Sequence, residues 1–244
     1  MMDLSSILNT VCSFLGSVPI LCPPEAAVYY FLFTRLNPKY HQQLILNEDT
    51  ILNGSNIDFK KPTKMYITGT FGTYTSQDSQ ATKNAYLVNQ DCNMILVDAS
   101  EILTGIDLRS GAYILAEPVA LEVAEFIDYM VTKGLKLSDL ELIGLSLGGQ
   151  VIGLAAAAVK SGKVAYDPVG LVFNGYPPSM RLDETDAELV IVLHTNPQEW
   201  GYYGSCGHID FWVNRNLIIQ PGCGPVESVL RSVENLADLS KKAY

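Results

Sequence analysis

Leu140-Glu141-Leu142-Ile143-Gly144-Leu145-Ser146-Leu147-Gly148-Gly149-Gln150-Val151-Ile152-Gly153-Leu154-Ala155-Ala156-Ala157-Ala158 is the stretch around which the chain is organised. Leu140 to Ile143 is a short apolar run, predicted to be a buried strand. Gly149 to Ala158 is Ala-rich and predicted to be a helix. Between them stands Gly144-x-Ser146-x-Gly148. Strand, sharp turn and helix is the setting that makes this pentapeptide a nucleophile elbow. The serine sits at a strained turn so that its oxygen is presented at the C-terminal edge of the sheet, and the flanking glycines let strand and helix pass close to it. The backbone N–H of Leu147 then points where an oxyanion would form. The plain alternative is a chance Gly-Leu-Ser-Leu-Gly between any strand and helix; the correctly placed neighbours favour the elbow.

Upstream, Leu4, Ile7, Leu8, Val11, Cys12 and Leu15 fall at helical spacing. Asp3, Asn9 and Ser13 do not fit a signal peptide, so this helix is expected to open a mature chain, with a turn over Pro19 to Pro24. Ala26 to Leu36 is predicted to be a strand, with Val28, Tyr30, Leu32 and Thr34 on one face and Tyr29, Phe31 and Phe33 on the other. Further strands are predicted at Gln43 to Ile45, Lys64 to Thr68 and Met94 to Asp98. Thr73 to Gln80 reads as a loop, Thr82 to Gln90 as a helix and Ile102 to Ile114 as a loop or irregular helix. Val119 to Lys133 is a helix with Val123, Phe126, Ile127 and Met130 inward. Beyond the elbow, strands are expected at Val164 to Tyr166 and Leu189 to Thr195. Gly207 to Val213 is expected to pair with Leu217 to Ile219 across a turn at Arg215-Asn216, before a last helix over Val226 to Lys241. Strands alternating with helices give an α/β fold, a mainly parallel sheet covered on both faces. No repeat or composition shift marks a second domain, so 1–244 reads as one domain, with 1–24 its N-terminal helix and turn.

The 244 residues are enough for a large core, with 48% hydrophobic and 17% charged residues. A formal charge of −10 argues against nucleic acid and anionic membrane surfaces as partners, while leaving a neutral apolar ligand open. No run is long enough to span a membrane. Of the five cysteines, Cys12 with Cys22 and Cys206 with Cys223 have the spacing of two local disulfides in a secreted protein, leaving Cys92 free. Asn53-Gly54-Ser55 is a glycosylation sequon in a polar loop, which agrees with secretion. The alternative is a cytosolic chain with buried reduced thiols.

A serine hydrolase of this topology needs an acid after the next strand and then a histidine. Asp167, ahead of Pro168, is well placed, though a strand-end cap is the simpler role. There are three histidines. His41 precedes the elbow, His194 lies inside an apolar strand as a satisfied core histidine would, and His208 has Asp210 close by. None lies near the C-terminus. No metal and no cofactor is expected.

Tyr166-Asp167-Pro168-Val169-Gly170-Leu171, Arg181-Leu182-Asp183-Glu184-Thr185-Asp186-Ala187, Leu193-His194-Thr195-Asn196, Gly207-His208-Ile209-Asp210-Phe211 and Gln220-Pro221-Gly222-Cys223 stand in this order. Together with Phe31 to Pro38 and Asn84 to Leu87, they resemble the pancreatic-lipase family over nearly the whole chain. The likeness is greatest to its insect members: neutral lipases, venom phospholipases A1 and yolk proteins. The resemblance implies an α/β-hydrolase fold, with Ser146 and Asp167 as catalytic residues and Thr70 and Leu147 at the oxyanion hole. It implies no C-terminal lipid-binding domain within 1–244. The departures are as telling. The family's His-Gly-Phe or His-Gly-Trp reads Thr68-Gly69-Thr70, its Val-Asp-Trp reads Val97-Asp98-Ala99, and its histidine before the nucleophile is Leu145. The family's catalytic histidine lies in Cys-x-His-x-Arg-Ser; here the segment is Glu227-Ser228-Val229-Leu230-Arg231-Ser232, with Val229 in its place. Valine cannot take the serine proton, and losing a triad member costs several powers of ten in rate. The segment from Asn196 to Gly207 is short, as in phospholipases A1 and yolk proteins.

The expected function is therefore that of a secreted, catalytically inactive lipase-like protein that binds, carries or stores a hydrophobic small molecule such as a lipid, sterol or pigment. A weakly active ester hydrolase or phospholipase A1 using Ser146 with another base is the alternative, and plain storage a third. Homo-oligomerisation is left open.

Overall fold

The structure, a computed structural model, describes residues 27–103, 112–159, 166–168, 173–197, 201–216 and 220–221; for 112–115, 166–168 and 215–216 it describes the backbone alone. The N-terminal helix, the turn at Pro19 to Pro24, the pairing segment Leu217 to Ile219 and the last helix lie outside these residues.

Among the described residues eight strands form the frame: β1 (Tyr29–Phe33), β2 (Gln42–Leu44), β3 (Thr63–Ile67), β4 (Asn93–Asp98), β5 (Leu140–Ser146), β6 (Tyr166–Pro168), β7 (Ile191–His194) and β8 (Ile209–Trp212). The first six make one sheet in the order β2-β1-β4-β3-β5-β6. β1 runs antiparallel to both its neighbours, while β4, β3, β5 and β6 are mutually parallel. β7 lies beside β6 and pairs in parallel with β8. This is an α/β-hydrolase fold.

The helices are α1 (Asp49–Asn53), α2 (Gln77–Asn89), α3 (Ser100–Leu103), α4 (Ala112–Thr132) and α5 (Leu147–Val159). α4 and α5 cover one face of the sheet and α2 the other. The central strands are apolar on both sides because both faces are covered. β1 shows how alternation divides the core: Val28, Tyr30 and Leu32 join α4 and α5, whereas Phe31 and Phe33 join Leu87 of α2. The Tyr30 ring lies flat on Phe126, with centroids 3.7 Å apart. Val123, Phe126, Ile127 and Met130 are all fully buried, as their helical spacing predicts.

Two local expectations are corrected. α2 begins at Gln77, inside the predicted loop. α4 begins before Pro118, although a proline inside a helix removes a hydrogen bond. Buried Ala116, Val119 and Ala120 carry the helix through it. β8 pairs with β7, and the partner expected for it across a turn, Leu217 to Ile219, lies outside the described residues. Among the described residues no helix is long and apolar enough to cross a membrane.

Candidate active site

β5 ends at Ser146 and α5 begins at Leu147, so the backbone reverses within one residue. Ser146 has φ +54°, the left-handed region that a non-glycine residue enters at a cost. The glycines around it are required by close approach. A Cβ on Gly144 would lie 2.4 Å from the Gly148 carbonyl oxygen, and one on Gly148 would lie 2.3 Å from the Ile67 carbonyl oxygen. A Cβ on Gly69 would meet the Ser146 Cβ at 2.8 Å and its Oγ at 3.3 Å. The end of β3 therefore rests directly on the serine, at the C-terminal edge of the sheet.

Thr68, Gly69 and Thr70 follow β3. The Thr68 and Tyr66 hydroxyls both donate to Asp78 Oδ2, at 2.5 and 2.7 Å, which anchors the strand end to α2. Burial and the Asp78 carboxylate raise the Tyr66 phenol well above its ordinary range. Thr70 Oγ1 is buried and has no hydrogen-bond partner among the described residues. Leu147 is fully buried at the first turn of α5. Gln150, one turn further on, accepts from the Leu182 N–H at 2.8 Å and fixes the 178–186 segment over the helix.

The backbone register places Asp167 beside the elbow: Leu145 is opposite Tyr166 and Ser146 opposite Pro168, with a register shift between the two pairs. Val229 lies outside the described residues. Each of the three histidines is engaged elsewhere. His41 packs edge-on against Phe31, Phe33 and Tyr74. His208 Nδ1 accepts from the Val190 N–H at 3.2 Å. His194 is completely buried; its Nε2 is 2.7 Å from Asp210 Oδ1 and its Nδ1 is 3.1 Å from the Tyr202 carbonyl. Among the described residues none is hydrogen-bonded to Ser146 Oγ.

Cys92 is a buried free thiol, raised by burial. Cys206 is likewise a free thiol among the described residues. Burial and then the Asp210 carboxylate push its thiol up to about 12, so it is held as the unreactive thiol. Cys12, Cys22 and Cys223 lie outside the described residues. Asn53 is exposed at the end of the short helix α1, with Gly54 and Ser55 in the turn that follows. The sequence reading missed the gathering of His194, Cys206 and Asp210, whose ligand atoms lie within 4.8 Å of one another. Their spacing carries no metal motif; only the β7–β8 pairing brings them together. It also missed an open groove at the N-terminal edge of the sheet, opposite the elbow, lined by Lys64, Asp139, Glu141, Glu188 and Leu189 among others.

Three kinds of known protein resemble this chain. Lipase member H of Oryctolagus cuniculus is 34% identical over 203 residues, which is 82% of this chain and 43% of that protein. Phospholipase A1 member A of Rattus norvegicus is 29% identical over 217 residues, 87% of this chain and 46% of that protein. The chain thus spans less than half the length of these relatives. Among solved structures, Est1E from Butyrivibrio proteoclasticus with ferulic acid bound is a remote likeness: 13% identity and a TM-score of 0.42, covering 70% of this chain and 75% of that one. The family model described as Lipase matches residues 19–240. With the elbow at Ser146 and the ordered motifs around it, that match makes this chain a member of the Lipase family, the pancreatic lipases and their relatives.

Proposed function

We propose that this lipase-family protein does not hydrolyse esters and instead holds an uncharged apolar ligand at the C-terminal edge of the sheet. One observation carries the proposal: Val229 takes the place of the family's catalytic histidine, and all three histidines of the chain are engaged away from Ser146. A serine hydroxyl without a base is a poor nucleophile, so Ser146 with Asp167 is an inert remnant. The C-terminal ends of the strands are where α/β folds bind ligands. The acidic chain favours a neutral ligand over an anionic one. Secretion belongs to the same proposal, on the exposed Asn53 sequon and a Cys12–Cys22 bridge. The retained elbow favours one competing reading, a slow ester hydrolase or phospholipase A1 that recruits another base.

The test sets hydrolysis of short-chain esters and phospholipids beside organic extraction of the native protein. Background turnover, unchanged by Ser146→Ala, and a lipid, sterol or pigment in the extract are expected. Turnover lost in Ser146→Ala would overturn the inactive reading, and an empty extract would overturn the ligand. Val229→His is expected to restore slow turnover that depends on Ser146.

A further inference from the structure

β7, the 201–207 segment and β8 close around a set of donors that the elbow chemistry does not use. His194 is stacked flat on Trp212, with centroids 3.8 Å apart and planes 5° from parallel. A backbone carbonyl only accepts, so the Nδ1 facing Tyr202 O at 3.1 Å carries a proton. That leaves the Nε2 lone pair aimed at Asp210 Oδ1, 2.7 Å away. Asp210 in turn accepts from the backbone N–H groups of Cys206, at 3.1 Å to Oδ1, and Gly207, at 3.2 Å to Oδ2. Both contacts orient the carboxylate toward the 206–207 backbone. Two electron-pair donors facing each other in a buried site need a cation between them. A second proton on the ring would serve, and so would a metal ion.

The third donor distinguishes the two. Cys206 Sγ is buried and free, and it lies within 4.8 Å of the other two donor atoms. A proton between His194 and Asp210 makes no use of this sulfur, whereas a metal ion takes all three. A bound divalent cation takes such a sulfur as the thiolate. The hydrogen bond from Nδ1 to a backbone carbonyl is also the usual support of a metal-ligating histidine, because it fixes the tautomer and the ring plane. A nitrogen, a sulfur and a carboxylate oxygen suit zinc rather than the oxygen-seeking calcium or magnesium.

We propose that His194 Nε2, Cys206 Sγ and an Asp210 carboxylate oxygen bind one zinc-type divalent ion, which ties β7 to β8. Binding displaces the proton of the Cys206 thiol, which goes to solvent. The ion is structural, since its donors are buried and none is hydrogen-bonded to Ser146.

The test uses the full chain, stripped with a chelator under reducing conditions and titrated with Co2+ alone. One equivalent of Co2+ is expected to bind, with a thiolate-to-cobalt charge-transfer band in the near ultraviolet and a rise in Tm. Cys206→Ser keeps the other four cysteines, so loss of the band there assigns the sulfur. Its Co2+ affinity should fall by about 100-fold or more. Asp210→Asn should weaken binding while keeping the shape of the side chain. Should either variant fail to fold, the wild-type titration decides. A titration with no charge-transfer band overturns the proposal, as does mass analysis of the unreduced protein showing Cys206 bridged to Cys223.

Discussion

Gly148→Ala is the sharpest probe of the elbow. Its Cβ would sit 2.3 Å from the Ile67 carbonyl oxygen and 2.5 Å from that of Thr68. Close C···O contacts run at about 3.3 Å or more, so the methyl is roughly 1 Å too near both atoms. Neither oxygen can swing away, because both belong to the backbone at the end of β3. The start of α5 must therefore lift off the sheet and carry Ser146 and Leu147 with it. Overpacking of this kind costs about 1–3 kcal/mol, and two fixed backbone partners put it near the upper figure. Alanine returns at most about 1 kcal/mol through helix propensity. A net loss of about 2 kcal/mol is expected, read as a lower midpoint in urea denaturation with an unchanged slope. Gly175→Ala is the control: nothing lies within 4 Å of its added Cβ, and stability should hold or rise by about 0.5 kcal/mol. If Gly148→Ala lost less than about 0.5 kcal/mol, the close-packed elbow would be refuted.

Two further perturbations act on the scaffold. Burial, and then the neighbouring Glu125, push the Glu122 carboxyl up from 4.5 to about 7. The folded chain thus holds this proton more tightly than the unfolded chain, so the contribution is favourable at low pH and is lost as pH rises from 4.5 through 7. Glu122→Gln should match wild type in thermal melts near pH 4 and exceed it near pH 8; the opposite order would refute the assignment. Asp78→Ala strands the Tyr66 and Thr68 hydroxyls and should cost about 1–3 kcal/mol in denaturation, with Asp78→Asn, which keeps an acceptor, losing less.

Much of this was legible in the residues. The alternation in Tyr29 to Phe33 named the two faces of β1, and the apolar run before Ser146 named β5, because burial imposes those patterns locally. His194, at the end of the apolar run Val190 to Leu193, was legible as a core histidine for the same reason. What escaped is what depends on distant partners. β8 carries strand-forming residues, but nothing local says that it pairs with β7 across the intervening segment. The His194, Cys206 and Asp210 cluster exists only through that pairing. The helix expected from Val119 begins further upstream, because buried residues on both sides of Pro118 carry it through the proline. Asp167 was legible as an acid after the elbow, and its strand does lie against β5.

The left-handed backbone at Ser146 has a consequence for substitution. Only glycine, asparagine and aspartate share that conformation readily, while valine, isoleucine and threonine are excluded by their branched Cβ. The close contacts of Gly69, Gly144 and Gly148 shut out any side chain at those positions as well. On the proposed loss of hydrolysis, the chain has few ways to leave this pentapeptide without rebuilding the joint between strand and helix. Persistence of the motif then measures steric confinement, and across relatives position 146 should drift toward glycine or asparagine before any other residue.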